Sequence, residues 1–386
     1  MDREGVGVND ILFLAHRVPY PPDRGDKVRS HHVMRHLSTL GRVHLASFAD
    51  DARDLGHDAA LAPWCARAVV VPRTQGNARA AAEALVGGRP VSLAAFDHAD
   101  MRAAVARLLD ARCYAAIYVY SGQMAQYLPD DARFVMDFVD LDSAKFAAYA
   151  ETARGPMRWM MRREARLLGR FERKVAARAQ ATLFVSTAEA ALFDTGRVHA
   201  VENGIDTGLF DPASVPPVVE AGPLIVFTGQ MDYRPNIDAV RWFVNDVLPG
   251  VPGRFAIVGR SPTAAVRALV GERVIVTGEV VDVRGWIAAA DVVVAPLLLA
   301  RGVQNKVLEA MAMARPVVAS TAAAEGIDHG GAIRVAGDAG TFVNEIKALL
   351  DDPVVADTLG QAARARAIAR YGWNARLAPL AALMGL

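Results

Sequence analysis

The chain has 386 residues, of which 53% are hydrophobic and 22% are charged, so its composition is that of a well-cored globular protein and excludes a disordered one. Its 43 basic and 42 acidic residues leave a net charge of +1, which gives no support to binding of nucleic acid or membrane through overall charge. The two cysteines exclude a disulfide framework and a cysteine metal cluster, and they fit a reducing cytosol.

Short β-branched runs alternate along the chain with longer helical segments rich in Ala, Leu and Arg. This alternation is typical of βαβ units and of parallel sheets, whose ligand sites lie at the carboxyl ends of the strands. The predicted strands are residues 11–15, 43–48, 68–71, 116–120, 134–137, 182–186, 224–228, 254–258, 274–277, 292–295 and 316–320.

Neither end of the sequence nor its interior predicts a targeting or membrane segment. The first apolar run is too short for the core of a signal peptide. The longest apolar stretch is interrupted by Asp291 and falls short of the roughly 20 residues of a membrane span. We therefore expect a cytoplasmic protein that can at most lie on the inner membrane face.

One segment, residues 203–223, breaks the alternation because it contains four prolines and no periodicity. We interpret it as a linker between an N-terminal domain (residues 1–208) and a C-terminal domain (residues 209–372). Each domain would have its own Rossmann-like sheet, with a cleft between them. The final helical segment, about residues 373–386, could pack back on the first domain.

The stretch "ARGVQNKVLEAMAMARPVVAS" (300–320) combines a loop, a helix and a strand, with Glu309 inside an apolar helical pattern. Its loop precedes a helix N-terminus, where exposed N–H groups and the helix dipole attract phosphate. Arg301 and Lys306 add formal positive charge, and a carboxylate one turn later can accept two ribose hydroxyls. The alternative is a glutamate that only complements the dipole, with Lys306 as a solvated flank.

The segment "NKVLEAMAMARPVVAS" resembles the signature of the GT4 family of retaining glycosyltransferases. The likeness extends to "ILFLAHRVPYPPDRGDKVRSHHVMRHL", "FVSTAEAALF", "IVFTGQMDYRPNIDAVRWFV" and "VTGEVVDVRGWIAAADVVVAPL". Within that family, "PYPPDRGDKVRS", "DFVDLDSAKF" and "ARGVQNKVLEAMA" are similar to sugar transferases associated with exosortase and PEP-CTERM exopolysaccharide systems. The resemblance implies an α/β protein of the GT-B fold, in which two Rossmann-like domains face a central cleft.

Carried over by position, the resemblance implies a nucleotide-diphosphate sugar as the sugar donor, with no metal or other cofactor. Glu309 would bind the ribose hydroxyls, and Lys306 and Arg301 would neutralise the diphosphate leaving group. The other expected contacts to the sugar donor come from loop positions in both domains, namely Gly25, Gly229, Arg234, Gly278, Val280, Gln304 and Asn305.

The sequence departs from the family pattern at three places. Arg301 occupies the first position of the usual Glu-x7-Glu pair, so a contact to the sugar hydroxyls is lost or reassigned. Gln230 and Pro235 replace the usual Arg and Lys after the first strand of the second domain, which leaves Arg234 as a nearby substitute. Asp26 replaces the second glycine of the usual pair in the first loop.

An acceptor site is predicted in the first domain. Asp137 or Asp140, after a strand, could polarise the attacking hydroxyl, whereas Asp142 or Ser143 is expected to cap the following helix. His16 and Arg17 follow the first strand and would meet the acceptor. A further set of residues has helical spacing and is interpreted as surface or cap histidines rather than metal ligands, because no carboxylate or cysteine partner is evident; the set is His31, His32 and His36.

Basic residues recur every four positions from Arg154 to Arg178, giving this stretch nine cations and two acidic residues, Glu164 and Glu172. Pro156 could sit in the first turn of the helix. One interpretation is a face that lies on anionic lipid near a lipid-linked acceptor. The other is a solvated helix that packs on the first domain. A four-residue step drifts by about 40° per turn, so the cations should spiral rather than form one face.

The resemblance implies a retaining glycosyltransferase that transfers a sugar to a growing, lipid-linked or exopolysaccharide, acceptor. Two alternatives keep the fold but change the activity. One is a GT-B-type nucleotide-sugar epimerase, against which the loss of a glutamate at Arg301 argues. The other is a non-catalytic nucleotide-sugar-binding scaffold. A dehydrogenase is excluded because no G-x-G-x-x-G follows the first strand.

Overall fold

The computed structural model describes residues 9–22, 25–50, 52–73, 83–193, 197–300 and 303–386. The chain divides into two compact units. The first consists of Met1–Asn203 together with Leu377–Leu386, and the second of Gly204–Arg376. Each unit is an α/β structure built on one parallel sheet.

The sheet of the first unit has the strand order β3-β2-β1-β4-β5-β6-β7, which is the Rossmann order 3-2-1-4-5-6 with one added strand. Its strands are β1 (Asp10–Ala15), β2 (Arg42–Ala49), β3 (Arg67–Pro72), β4 (Ala116–Tyr120), β5 (Val135–Val139), β6 (Ala181–Phe184) and β7 (Val198–Ala200). Residues 11–15 are all buried, because helices cover both faces of a parallel sheet.

Helices connect these strands and enclose the sheet. They are α1 (Gly25–Leu40), α2 (Asp58–Leu61), α3 (Val91–Ala94), α4 (Ala99–Ala111), α5 (Asp142–Thr152), α6 (Gly155–Arg178) and α7 (Thr187–Ala190), with short 3-10 helices at Ala52–Asp54 and Gly122–Tyr127. The C-terminal helix Leu380–Met384 belongs to the same unit, and the side-chain amide of Gln180 donates to the carbonyl of Leu383 at 2.9 Å.

The sheet of the second unit has the order β10-β9-β8-β11-β12-β13, again the Rossmann arrangement. Its strands are β8 (Leu224–Thr228), β9 (Arg254–Val258), β10 (Val274–Gly278), β11 (Val292–Ala295), β12 (Val317–Ser320) and β13 (Arg334–Ala336). Its helices are α8 (Arg234–Trp242), α9 (Ala264–Arg267), α10 (Val283–Ala289), α11 (Asn305–Ala312), α12 (Thr321–Ala324), α13 (Ala339–Asp351), α14 (Pro353–Tyr371) and α15 (Trp373–Leu377), with a π-helix at Phe243–Val247 and a 3-10 helix at Leu248–Gly250.

All eleven strand predictions are confirmed, and two strands were missed, β7 and β13. Both have three residues, and β13 includes exposed residues at a sheet edge, so neither gives a buried apolar run. The segment predicted to be a linker packs on the second unit, since Phe210 and Val215 join its core and Val218 donates to the carbonyl of Gly285 at 3.1 Å. The units divide between Asn203 and Gly204.

The long basic helix α6 begins at Gly155 with Pro156 in its first turn, as predicted. Its two glutamates are buried: Glu164 accepts from the backbone of Val91 at 3.0 Å, and Glu172 accepts from the backbone of Ser143 at 3.0 Å. The two acidic residues of α6 therefore bind backbone groups of other elements, and the solvent-facing side of the helix carries no carboxylate.

The cations of α6 spiral as predicted, by about 40° from one four-residue step to the next. At about 100° per residue, one arc of about 80° holds four arginines and a tryptophan, all of them exposed. They are Trp159, Arg162, Arg166, Arg170 and Arg173. Three successive members of the spiral fall within this arc, and the ends of the series lie outside it, where Arg178 pairs with Asp130. Over the described residues, no helix is both long and apolar enough to cross a membrane.

Candidate functional site

A cavity of about 530 Å³ opens in the second unit at the carboxyl ends of its strands. Thr228 ends β8 and Val258 ends β9, and both line the cavity, as do residues 303–306 ahead of and at the start of α11. Because β8 has β9 on one side and β11 on the other, the cavity lies where the strand order reverses. Ligands of doubly wound sheets bind at this position.

Lys306 is half-buried in the first turn of α11 and lines this cavity. Its Nζ donates to Oδ1 of Asn236 at 2.6 Å and lies 4.1 Å from the ring centre of Phe227, which is cation–π range. Burial lowers the pKa of Lys306 to about 8, although the carboxylate of Glu309 acts in the opposite direction. The amine is therefore a desolvated cation whose pKa lies closer to neutral pH than that of an exposed lysine.

Glu309 follows Lys306 by three residues and lies on the same face of α11, toward the cavity. Burial raises the pKa of its carboxyl group, while Lys306 lowers it. The apolar neighbours Val307, Leu308 and Met311 point into the core instead. A helix with this pattern presents one cation and one carboxyl group to the cavity, and the carboxylate can accept hydrogen bonds from a vicinal diol.

Two glycines allow the loops after β8 and β9 to approach each other. A Cβ atom on Gly259 would lie 1.8 Å from the carbonyl oxygen of Gly229. A Cβ atom on Gly229 would lie 2.8 Å from Nδ2 of Asn236 and 3.1 Å from Nζ of Lys306. A side chain at either position would displace the backbone or the amine, so the site needs glycine there.

The far end of the cavity is lined by Arg260, Glu279, Val280 and Val283. Val280 packs partly against the core of the unit. Gly278 itself does not line the cavity. It ends β10 with a φ of +69°, and its carbonyl accepts from the backbone of Gly259 at 3.2 Å. The backbone carbonyl of Gly278, a residue expected to contact the sugar donor, is therefore already bonded within the protein.

The structure brings most of the residues predicted to bind the sugar donor into one cavity. These are Gly229, Val280, Gln304, Asn305, Lys306 and Glu309. Arg234 is different: its side chain is 85% exposed and pairs with Asp238, one helical turn away, at 2.9 Å. Its position does not support the expected contact. Arg301 lies outside the described residues, and Gly25 begins α1 in the first unit.

Several residues that line the cavity were not predicted from the sequence, among them Tyr233, Asn236 and Arg260. Asn236 lies in the first turn of α8, two residues after Arg234, and is almost fully buried. Pro235 marks the start of the helix next to Asn236, but this local signal does not reveal the contact of Asn236 with Lys306.

In the first unit, His16 and Arg17 follow β1 and form a charge network. Arg17 donates to Asp26 at 2.5 Å and also pairs with Asp50. His16 lies 3.4 Å from Asp26 and stacks on Tyr120 with ring centres 5.7 Å apart. The hydrogen bond from His16, together with Arg17, holds the pKa of the Asp26 carboxyl well below its usual range.

The expectation that the helix α1 histidines are surface or capping residues is wrong for two of them. His31 and His32 are buried, and the ring of His31 packs edge-on against Trp64 at 5.0 Å. Burial lowers the pKa of His36. Their helical spacing reflects packing of α1 within the unit.

The three aspartates in and after β5 have different surroundings. Asp137 is fully buried and accepts from Nε of Arg29 at 3.0 Å and from the hydroxyl of Tyr118 at 2.6 Å. This position corrects the expected role of Asp137 in polarising an acceptor, because an acceptor hydroxyl cannot reach it. Asp140 is exposed beyond the end of β5, where the expected role is sterically allowed.

The start of α5 also differs from expectation. Asp142 is its first residue, and the N-cap residue Leu141 makes no side-chain capping bond. Glu172 accepts from the backbone of Ser143 and Glu189 from the backbone of Leu141, each at 3.0 Å. The cap is thus supplied by carboxylates from α6 and α7, and the prediction that Asp142 or Ser143 caps the helix is wrong.

Two Rossmann-like parallel sheets, each in its own unit, with an anion-suited cavity at the strand ends of the second, define the GT-B class of fold. Comparison with known families agrees: residues 222–352 match the family described as glycosyl transferases group 1. The second unit thus contains a glycosyl transferases group 1 domain, and the protein is a transferase by class.

Solved structures of glycosyltransferases share this fold over nearly the whole chain. Sucrose-phosphate synthase from Thermosynechococcus elongatus is 20% identical, with 97% of this chain and 98% of that chain covered and a TM-score of 0.58. HepE from Anabaena, in complex with UDP, is 17% identical, with coverages of 97% and 99% and a TM-score of 0.59. A glycosyltransferase from Rickettsia africae is 14% identical, with coverages of 97% and 97% and a TM-score of 0.61. No curated protein matches the sequence.

Proposed function

We propose that the protein is a retaining, GT4-type glycosyltransferase that uses a nucleotide-diphosphate sugar as its sugar donor. The observation that carries this proposal is the pairing of Lys306 and Glu309 on one face of α11, in a cavity at the strand ends of a glycosyl transferases group 1 domain. One residue offers positive charge to a diphosphate, and the other offers acceptor oxygens to a ribose.

We place the diphosphate at the end of the cavity formed by the start of α11, which we call the phosphate end. Several groups supply positive potential there. The backbone N–H groups of Asn305 and Lys306, the first two residues of α11, have no intrahelical partner, and the helix dipole adds a partial positive charge. Lys306 adds a formal charge, and Arg301 is proposed to add a second. Charge develops on the leaving diphosphate as the glycosidic bond breaks, so groups placed there stabilise the transition state more than the ground state.

The base of the nucleotide is proposed to lie against Val280 and Val283, whose side chains give this end of the cavity an apolar surface between Arg260 and Glu279. UDP is the first nucleotide to test, because HepE, which shares the fold, is described in complexes with UDP and with UDP-glucose. The residues at this end do not themselves select uracil over another base.

Retention would follow if the acceptor oxygen attacks from the side that the diphosphate leaves. The proton of the acceptor then passes to the leaving phosphate, and no covalent enzyme nucleophile is required. We propose a growing glycan, lipid-linked or part of an exopolysaccharide, as the acceptor. Support comes from the resemblance of the sequence to exosortase and PEP-CTERM associated sugar transferases. Asp140, His16 and Arg17 are the proposed acceptor contacts.

A peripheral position at the inner membrane face completes the proposal. The solvent-facing arc of α6 carries four arginines beside Trp159 and no carboxylate, because Glu164 and Glu172 are buried. At the start of the helix, Met157 and Trp159 are 57% and 59% exposed. Cations flanking exposed apolar and aromatic side chains are the pattern of a helix that binds anionic lipid head groups. A lipid-linked acceptor would be reached from such a position.

The experiment that tests the sugar-donor site is a thermal-shift screen of UDP-, GDP- and ADP-sugars with the wild-type protein and with Glu309→Ala. A ligand at 100 times its dissociation constant should stabilise the wild type by about 2.7 kcal/mol, and the variant far less. Glu325→Ala, which removes an exposed carboxylate in the same unit, is the control and should respond like the wild type. Equal shifts in all three proteins would remove Glu309 from the site.

Turnover assays then separate the activities. Transfer of sugar to a glycan or lipid-linked acceptor with retained anomeric configuration is the expected result. Isomerisation of the nucleotide sugar without any acceptor would identify an epimerase instead.

A further inference from the structure

Asn236 is the immediate hydrogen-bond partner of the amine at the proposed phosphate end of the cavity. Its Oδ1 atom lies 2.6 Å from Nζ of Lys306, although the two residues are 70 positions apart in sequence. The contact joins the first turn of α8 to the first turn of α11. It therefore fixes where a flexible four-carbon side chain places its charge.

The orientation of the Asn236 amide is itself fixed. Its Nδ2 donates to the carbonyl of Gln230 at 2.9 Å, and its backbone N–H donates to the carbonyl of Tyr233 at 3.0 Å. Because the amide nitrogen is committed to a carbonyl, the amide oxygen must face Lys306. Gly229 leaves room for this arrangement, since a Cβ there would press on both side chains.

The partner of Lys306 is thus a neutral oxygen, not a carboxylate. Besides Lys306, the charged side chains lining the cavity are Arg260, Glu279 and Glu309. Glu309 lowers the electrostatic cost of the ammonium group from a distance, and among the described residues no carboxylate lies within 4 Å of Nζ. The other neighbour is the face of the Phe227 ring. The positive charge of the amine is held in place without being neutralised by a salt bridge.

We infer that Asn236 is a positioning residue whose carboxamide holds the Lys306 ammonium in the cavity uncompensated, so that its charge remains available to the diphosphate of the ligand. The inference rests on the proposed function. It also gives a physical account of this cavity, where the family's usual basic residues after the first strand are replaced by Gln230 and Pro235. In this cavity, Asn236 on α8 fixes the position of the amine, and Lys306 on α11 supplies the positive charge.

This arrangement predicts a coupling between proton binding and nucleotide binding. Burial already lowers the pKa of Lys306 to about 8, so at pH values above 8 most protein molecules carry Lys306 as a neutral amine. A bound diphosphate favours the charged form, and affinity should therefore fall as the pH rises from 7 to 9.5. A carboxylate at position 236 would raise the pKa of the amine and move this fall to higher pH.

The decisive variant is Asn236→Asp, which keeps the shape of the side chain and adds a negative charge next to Lys306. UDP, GDP, ADP and uridine are titrated calorimetrically at several pH values from 7 to 9.5. For whichever diphosphate the wild type binds, we expect Asn236→Asp to lose at least tenfold in affinity at pH 7. The pH at which affinity falls should rise, and the affinity for the nucleoside alone should stay within about twofold.

Two further variants make the result interpretable. Asn245→Asp introduces the same charge at an exposed position of the same unit and should behave like the wild type. Asn236→Ser keeps a neutral oxygen, so it should bind more weakly than the wild type with an unshifted pH profile. This variant also carries the test if Asn236→Asp does not fold.

The outcomes separate the two proposals. If the wild type binds no nucleoside diphosphate, the proposed function fails, and this inference fails with it. If the wild type binds one, but Asn236→Asp and Asn245→Asp show the same affinity and the same pH profile, only the role of Asn236 is overturned. A pH profile that shifts upward in Asn236→Asp alone supports it, because a merely structural role would not move that profile.

Discussion

The guanidinium of Arg29 and the carboxylate of Asp137 meet at 3.0 Å in the interior of the first unit, where both side chains are shielded from solvent. Arg29 comes from α1 and Asp137 from β5, so the pair ties the first helix to the centre of the sheet. Tyr118 donates a second hydrogen bond to the same carboxylate at 2.6 Å.

Removing Asp137 should therefore unfold the first unit more readily rather than impair a chemical step. Asp137→Ala leaves a buried guanidinium without its counter-charge, which typically costs about 3–5 kcal/mol. Urea denaturation measures this loss, with Asp131→Ala, an exposed aspartate of the same unit, as the control. A stability within about 0.5 kcal/mol of the wild type would show that the pair contributes little.

Glu172 should make the protein less stable at neutral and higher pH. Burial raises the pKa of its carboxyl group, and its Oε2 atom has no hydrogen-bond partner. A carboxyl group with a raised pKa contributes stability below its unfolded pKa, and that contribution disappears as the pH rises through the folded value. Glu172→Gln abolishes this penalty, while the amide oxygen can still accept from Ser143.

We expect Glu172→Gln to be more stable than the wild type at pH 8. The difference should shrink toward pH 4. Denaturation at both pH values measures it, and Glu151→Gln, at an exposed position on α5, should show no such trend. A gain that does not depend on pH, or a loss at pH 8, contradicts this account.

Gly229→Ala should weaken nucleotide binding while leaving the fold intact. The added methyl group would lie 2.8 Å from Nδ2 of Asn236 and 3.1 Å from Nζ of Lys306, so the amine must move. A tenfold weaker affinity for the bound nucleoside diphosphate, about 1.4 kcal/mol, is the expected result by calorimetry. Gly271→Ala has its nearest contact at 3.9 Å and serves as the control. Equal affinities for the two variants would mean that the amine tolerates displacement.

Substitution of Arg162, Arg166 and Arg170 by alanine should release the protein from anionic membranes. Each basic residue near an anionic surface contributes about 1 kcal/mol, so losing three should lower the affinity by roughly two orders of magnitude. Co-sedimentation with vesicles containing phosphatidylglycerol measures the effect, and high salt should reduce wild-type binding as well.

The control for that experiment removes three exposed arginines from other surfaces. They are Arg107, Arg241 and Arg267. Both triple variants have the same net charge, so only a local surface can distinguish them. Equal retention of the two variants on vesicles would argue against a binding role for α6.

Local patterns in the sequence were sufficient to predict most of the fold. Buried parallel strands are short, continuous and β-branched, and a run such as Leu224–Thr228 reveals itself without knowledge of its neighbours. The three-residue edge strands β7 and β13 have no such run, because their pairing depends on the adjacent strand. The segment 203–223 resembles a linker in composition, but its packing is decided by the core that it meets.

The candidate site was predictable only where it is continuous in sequence. Lys306 and Glu309 share one helix, so their spacing alone places them together. Asn236 carries no charge and reaches Lys306 from 70 residues away, which no local pattern reveals. Asp137 was misjudged for the same reason, since its partner Arg29 lies 108 residues away. Arg234 attracted attention through its charge, which Asp238 engages one turn along the helix.

Because Leu377–Leu386 belongs to the first compact unit, only the second unit corresponds to one continuous segment of the gene. Gly204–Arg376 is continuous and can be excised as a single coding fragment, whereas the other unit needs Asn203 linked to Leu377 by an artificial connector. Clipping the last ten residues would strip Gln180 of its bond to Leu383. A C-terminal deletion would thus destabilise the first unit, although most of that unit is encoded at the start of the gene.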